Sequence, residues 1–85
     1  MLLNKNTMQL EIITAESQLY SGEVTSVKLP GMDGEFEILN NHAPVISTLD
    51  KGVIRVIDNN NKTENFEVNG GVIEMQNNKI IVLAD

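Results

Sequence analysis

Apolar side chains in this chain recur at every second position in short runs, and each run is cut off by Gly, Asn, Asp or Pro. Met8-Gln9-Leu10-Glu11-Ile12 alternates in this way. Glu64 to Val68 does so again, with Phe66 and Val68 expected inward and Asn65 and Glu67 outward. Nowhere do apolar residues keep the i, i+3, i+4, i+7 rhythm of a helix over two turns, so the runs read as strands with one face in water. Along Val24-Thr25-Ser26-Val27-Lys28-Leu29 the apolar phase slips by one residue. Either a bulge re-aims the strand there or both its faces are partly covered, and Gly22 nearby favours the bulge. Val53 to Ile57 and Ile80 to Leu83 are apolar on both faces, the pattern of a central strand or of a strand at an intersubunit contact. Between the runs lie Gly31 to Gly34, Asn40-Asn41, Asp50-Lys51-Gly52, Asp58 to Asn61, Asn69-Gly70-Gly71 and Asn77-Asn78, all residue types that suit turns. The expectation is an all-β chain, a small antiparallel β-sandwich or flattened barrel of about eight to ten short strands with no C-terminal helical domain.

Length confines this pattern to one domain. A chain of 85 residues buries little more than ~60% of its unfolded surface. The domain is expected to span 8–85, with 1–7 as a frayed N-terminus. Six basic residues against twelve acidic ones give a formal charge of −6. This disfavours binding to a nucleic-acid backbone and points to neutral or basic protein surfaces as partners. The absence of Cys excludes a disulfide framework, a thiolate nucleophile and a Cys-based zinc site. Met1-Leu2-Leu3 is broken at once by Asn4-Lys5-Asn6, too short an apolar run for a signal peptide or a membrane span, and the expectation is a soluble chain.

Candidate chemistry is sparse. Glu35 and Glu37 stand two apart on an expected strand, with Cβ atoms on one side about 6.6 Å apart. A carboxylate pair of this kind serves in glycosidases, but those need aromatic sugar platforms, and only Phe36, Phe66 and Tyr20 are available. The plainer reading is a solvated acidic edge open to a basic partner. His42, Ser47 and Asp50 supply the residue types of a hydrolytic triad without a nucleophile elbow or a Gly-rich oxyanion turn. A lone His beside Ala43-Pro44 reads better as a loop-fixing or interface residue. No spacing suits zinc or calcium. Gly31-x-x-Gly34 and Asn69-Gly70-Gly71 lack the following helix of a phosphate cradle and read as turns. Asn61-Lys62-Thr63 reads as a polar hairpin loop. No catalytic residue, cofactor or metal is expected.

The run Leu29-Pro30-Gly31-Met32-Asp33-Gly34-Glu35-Phe36-Glu37-Ile38-Leu39-Asn40-Asn41-His42-Ala43-Pro44 resembles the signature of one family, the epsilon subunit of F-type ATP synthases, called delta in mitochondria. Further landmarks follow in family order: Tyr20-Ser21-Gly22-Glu23-Val24, Gly52 to Val56, Asn69 to Glu74 and Ile81 to Asp85. Glu37 stands where the family has Gly, and Asn40-Asn41 replaces Pro-Gly; Asn tolerates the left-handed turn that Pro-Gly makes.

The resemblance implies the β-sandwich domain of a rotor subunit at the foot of the central stalk. Such a domain joins the gamma subunit to the c-ring, supports torque transmission and proton-coupled ATP synthesis, and catalyses nothing. It implies that Met32, Asp33 and Glu35 face the polar loops of the c-ring, which carry a basic residue, and that His42, Ala43 and Pro44 lie against gamma. Nucleic acid is not a partner, and the membrane is reached only through the complex, on the cytoplasmic side of a bacterial inner membrane. In the family a hairpin of two helices follows this domain; the chain stops at Asp85 where it would begin, as a natural short form or as a trimmed domain. The resemblance thus implies no inhibitory helices and no nucleotide site on them. The rival readings are a free-standing β-sandwich that binds a small ligand or peptide, and a hydrolase built on Glu35 and Glu37.

Overall fold

A computed structural model describes residues 7–85; the fray expected over 1–7 lies, but for Thr7, outside the described residues. Every regular element is a strand: β1 (Met8–Ile13), β2 (Gln18–Gly31), β3 (Gly34–Leu39), β4 (Val45–Leu49), β5 (Gly52–Asp58), β6 (Thr63–Val68), β7 (Gly71–Gln76) and β8 (Lys79–Ala84). The turn residues read from the sequence separate the strands from β2 onward, whereas the turn between β1 and β2, closed by Thr14 and Ser17, was not among them. Asn61, Asn77 and Asn78 hold the left-handed backbone at φ 64°, 54° and 60°, which Asn accepts at little cost.

β2 organises the rest. Its first half pairs with β1, from Gln18 to Val24, and its second half with β3, from Ser26 to Gly31. β5 pairs with β2 between Val24 and Lys28, and Gly31 reaches Leu49 of β4. The ladder β1-β8-β7-β4 therefore leaves β2 at one end and returns to it at the other, while β3, β5 and β6 extend from its second half.

The expected bulge is present within the Val24–Val27 slip, while Gly22 itself pairs in register with Leu10. Val24 opposes Asp58 and Ser26 opposes Ile57, so Thr25 is the extra residue, and its hydroxyl donates to the Ile57 carbonyl at 3.3 Å. The bulge turns Val24 inward and resets the alternation so that Val27 and Leu29 are inward again; all three are fully buried. A second register shift lies between Ile12 and Ile13.

All pairings are antiparallel except β1 with β8, which run parallel from Gln9–Lys79 to Ile13–Leu83. Strands joined by tight turns must be antiparallel, whereas a first and a last strand are free of that constraint. The doubly apolar runs are central: β5 lies between β2 and β6, and β8 between β1 and β7. Between the sheet faces Leu10, Ile12, Leu29, Ile38, Ile54 and Ile73 are all 0% exposed. Full burial of each contributes about 1.5–3 kcal/mol. Phe66 and Val68 point inward and Asn65 and Glu67 outward, as expected, and the Phe66 ring meets Tyr20 edge to face at 5.8 Å.

Leu10 sits where β1 faces both Gly22 of β2 and Ile80 of β8. Leu10→Ala is expected to cost about 2–5 kcal/mol, read from the midpoint of urea unfolding. A loss below about 0.5 kcal/mol, the range of ordinary surface substitutions, would contradict this account of the core.

Candidate functional site

The residues singled out in the sequence fall at two ends of the sandwich. At one end Gly31 and Gly34 pair across a two-residue turn, placing Met32 and Asp33 at the tip of the β2–β3 hairpin. The tip needs glycine twice. Gly34 holds φ 124°, and a Cβ on Gly31 would lie 2.7 Å from the Gly34 carbonyl oxygen. The base of the hairpin is tied down by Met32 N–H donating to the Thr48 carbonyl at 3.2 Å and Asp50 N–H donating to the Pro30 carbonyl at 2.7 Å. Met32 is 58% exposed on this fixed base, and Asp33 and Glu35 are exposed beside it. Glu35 comes within 3.7 Å of Lys28, an exposed pair that contributes little.

Glu37 departs from the expectation of an open acidic edge. Arg55 Nη2 donates to Glu37 Oε2 at 2.8 Å and to Ser26 Oγ at 2.9 Å, and the Ser26 hydroxyl donates to the same carboxylate oxygen at 2.5 Å. The Ser26 hydroxyl first, and Arg55 second, hold the Glu37 carboxyl below its ordinary value. The carboxylate is committed within its own sheet. Glu37 also occupies ordinary extended backbone opposite Lys28, so replacing Gly there imposes no unusual φ.

At the other end lies the β3–β4 loop. Asn41 takes φ 66°, the left-handed turn anticipated for the residue in place of Gly. His42 N–H donates to the Leu39 carbonyl at 3.1 Å, and its Nδ1 lies 2.7 Å from the Ala43 carbonyl oxygen, so the ring folds onto its own loop. Asn41 N–H donates to Asn78 Oδ1 at 2.8 Å and Asn78 Nδ2 donates back to Asn41 Oδ1 at 3.2 Å. This reciprocal amide clasp fastens the loop to the β7–β8 turn, whose Asn78 carbonyl also accepts from Gln9 N–H at 2.9 Å. The clasp residue Asn78 was not singled out in the sequence. Its signal there is only an Asn-Asn turn; the partner 37 positions away is a tertiary fact.

His42, Ser47 and Asp50 do not come together. Ser47 stands within β4, its hydroxyl near the Thr48 carbonyl, while Asp50 Oδ1 accepts from Lys51 N–H beyond the far end of that strand. β4, five residues and about 15 Å long, separates the His42 loop from the Met32 tip. Among the described residues no group of acidic side chains and histidines is arranged to hold a metal ion. The concavities at Glu74–Ile81 and at Asn41–Asn78 are open clefts on the surface, unlike the enclosed apolar pocket of a small-ligand site.

The outer face of the β1-β8-β7-β4 sheet carries exposed apolar side chains interspersed with Glu11 and Glu74. Ile13, Leu83 and Val72 form one cross-strand row, and Ile81 lies in the next with Glu11, Glu74 and Ile46. Leu83 is 52%, Val72 44% and Ile46 81% exposed. Val53, by contrast, belongs to the β5–β6 ladder opposite Glu67, so the two doubly apolar strands do not share one patch.

The family model described as ATP synthase, delta/epsilon chain, beta-sandwich domain matches residues 7–85. An ATP synthase epsilon chain of Chlorobium limicola is 36% identical over 85 residues, spanning all of this chain and 97% of that one. An ATP synthase epsilon chain of Campylobacter curvus is 41% identical over 78 residues, covering 92% of this chain but only 60% of its own length. Among solved structures, a chain in the Euglena gracilis mitochondrial ATP synthase superposes with TM-score 0.88 at 15% identity, covering 94% of this chain and 51% of that one. One in the central stalk and c-ring of Tetrahymena thermophila mitochondrial ATP synthase gives 0.75 at 15%, covering 96% and 66%. At that identity the superpositions establish the fold.

Two outcomes test the geometry. Because the fold lowers the Glu37 pKa, its stabilisation is complete above the ordinary Glu value of about 4.3 and is lost as pH falls through the lowered one. The stability difference between the native chain and Glu37→Gln, followed by urea unfolding, is therefore expected to be full at neutral pH and to close in acid. A difference that stays constant into strong acid would remove the Ser26–Arg55 explanation. Asn78→Gly preserves the left-handed turn and deletes the amide clasp. Hydrogen exchange at the Asn41 N–H is expected to accelerate with the melting temperature nearly unchanged, whereas unaltered protection would mean that the clasp does not hold the loop.

Proposed function

Since the chain belongs to the ATP synthase delta/epsilon family through its β-sandwich domain, we propose that it is a non-catalytic part of the central stalk that clamps the gamma subunit to the c-ring. The observation that carries this reading is the placement of the two candidate contact segments at opposite ends of β4 on one closed sandwich. A single rigid body can then hold two partners at once, and torque crosses it through paired backbone rather than through a mobile linker. Met32, Asp33 and Glu35 meet the polar loops of the ring, where Glu37 is already neutralised by Arg55 and the remaining acid side chains complement a basic residue. His42, Ala43 and Pro44 meet gamma, and the adjoining apolar face around Ile46, Val72 and Leu83 extends that contact, because exposed apolar surface of this kind marks a protein interface. The protein needs no cofactor for this role. It works at the cytoplasmic face of a bacterial membrane and touches that membrane only through the complex.

In the assembled complex Glu35→Lys is expected to lower proton-coupled ATP synthesis while changing fold stability by no more than about 0.5 kcal/mol. The chain has no native Cys, so Ile46→Cys and Asp33→Cys give single-site cross-linking probes. The first is expected to capture gamma and the second the ring. Normal coupling in Glu35→Lys would remove the ring assignment. Capture of gamma solely from the Asp58 to Lys62 turn would overturn the placement of the stalk contact.

A further inference from the structure

The chain is rich in Asn, and the hydrogen bonds of its turns sort those residues by reactivity. An asparagine deamidates when the backbone nitrogen of the next residue attacks its side-chain carbonyl carbon, which requires that nitrogen to be free and uncrowded. Most turn asparagines fail the first condition. The amides that follow Asn59, Asn60 and Asn61 donate to Asp58, those of Asn60 and Lys62 to its carboxylate at 2.8 and 2.9 Å and that of Asn61 to its carbonyl at 3.0 Å. The amides that follow Asn40 and Asn41 donate to Asn78 Oδ1 and to the Leu39 carbonyl. Asn77 and Asn78 are followed by residues whose Cβ crowds the attack, and Asn4 and Asn6 lie outside the described residues.

Asn69 differs on each count. It is exposed in the turn between β6 and β7, and its side chain makes no hydrogen bond among the described residues. Gly70 follows it; this glycine is buried beside the Asp85 carboxylate but carries no Cβ to crowd the attack, and its N–H donates to none of the described residues. Gly70 adopts φ 127°, a conformation open to glycine and strained for other residues. We propose that Asn69 is a site of spontaneous deamidation and isomerisation in the folded protein. The Gly70 nitrogen, losing its proton to base, bonds to Asn69 Cγ and expels ammonia to leave a cyclic imide. Water then opens the ring at either carbonyl, giving Asp or isoaspartate at position 69.

The turn has little room for the second product. The Gly70 carbonyl accepts from Asp85 N–H at 3.0 Å, and a Cβ built at Gly71 would lie 2.3 Å from the Leu83 carbonyl oxygen. Isoaspartate lengthens the main chain by one carbon beside these contacts, and either product sets a new carboxylate on the cleft that Asp85 also lines, in a chain already at −6. The modification therefore loosens the attachment of Asp85 to the β6–β7 turn.

The test incubates the purified chain in mildly alkaline buffer, with and without urea, and follows intact mass, peptide maps and labelling by an isoaspartyl methyltransferase. In the native protein Asn69 is expected to convert several-fold faster than any other asparagine and to supply the methyl-accepting site, and both Asn69→Ser and Asn69→Gln are expected to abolish that signal. Conversion spread evenly over several asparagines, or conversion of Asn69 only in urea, would overturn the proposal.

Discussion

One strand belongs to both halves of this molecule, and its register at Thr25 is what permits it. A strand of fourteen residues with unbroken alternation would present its apolar side chains to a single plane. The extra residue at Thr25 re-aims the chain, so that Val24, paired beside β1, and Val27 and Leu29, paired beside β3, all enter one core. Closure follows, because Gly31 of the same strand meets Leu49 and returns the β1-β8-β7-β4 ladder to its start. Of the sheet's margins, β6 carries Glu64 and Glu67, charges of the kind that discourage edge-to-edge association.

The closed ladder also fixes what the two ends can do. The Met32 tip is held by backbone hydrogen bonds to β4 and the turn after it, so its exposed side chains stand on a base that needs no partner to form. The His42 loop is held by the Asn41–Asn78 clasp, which does the work of a more rigid Pro-Gly turn with two side-chain amides. Ordering both segments in advance reduces the entropy lost when a partner docks.

Charge is distributed with the same economy. Glu37 is satisfied internally by Ser26 and Arg55, which leaves the negative field of the hairpin concentrated toward Asp33 and Glu35. The outer face of the other sheet is the reverse case, with an apolar row interrupted by Glu11 and Glu74. A surface of that composition suits a large protein partner better than a soluble ligand.

The amino-acid sequence by itself determined that the chain is all β, where its turns from Gly31 onward fall and which strands are central, because alternation and left-handed Asn or Gly are properties of neighbouring residues. The run from Leu29 to Pro44 carried the family, and its glycines at 31 and 34 are legible as the demands of one tight hairpin. The tertiary structure alone decided that β1 lies parallel to β8, that Arg55 takes up Glu37, and that Asn78 holds Asn41. Each of these depends on which residues a register brings together across 18 to 70 positions of chain. A pattern of period two fixes the face on which a side chain lies, but any even shift in register preserves that face, so the partner opposite is chosen only when the whole sandwich closes.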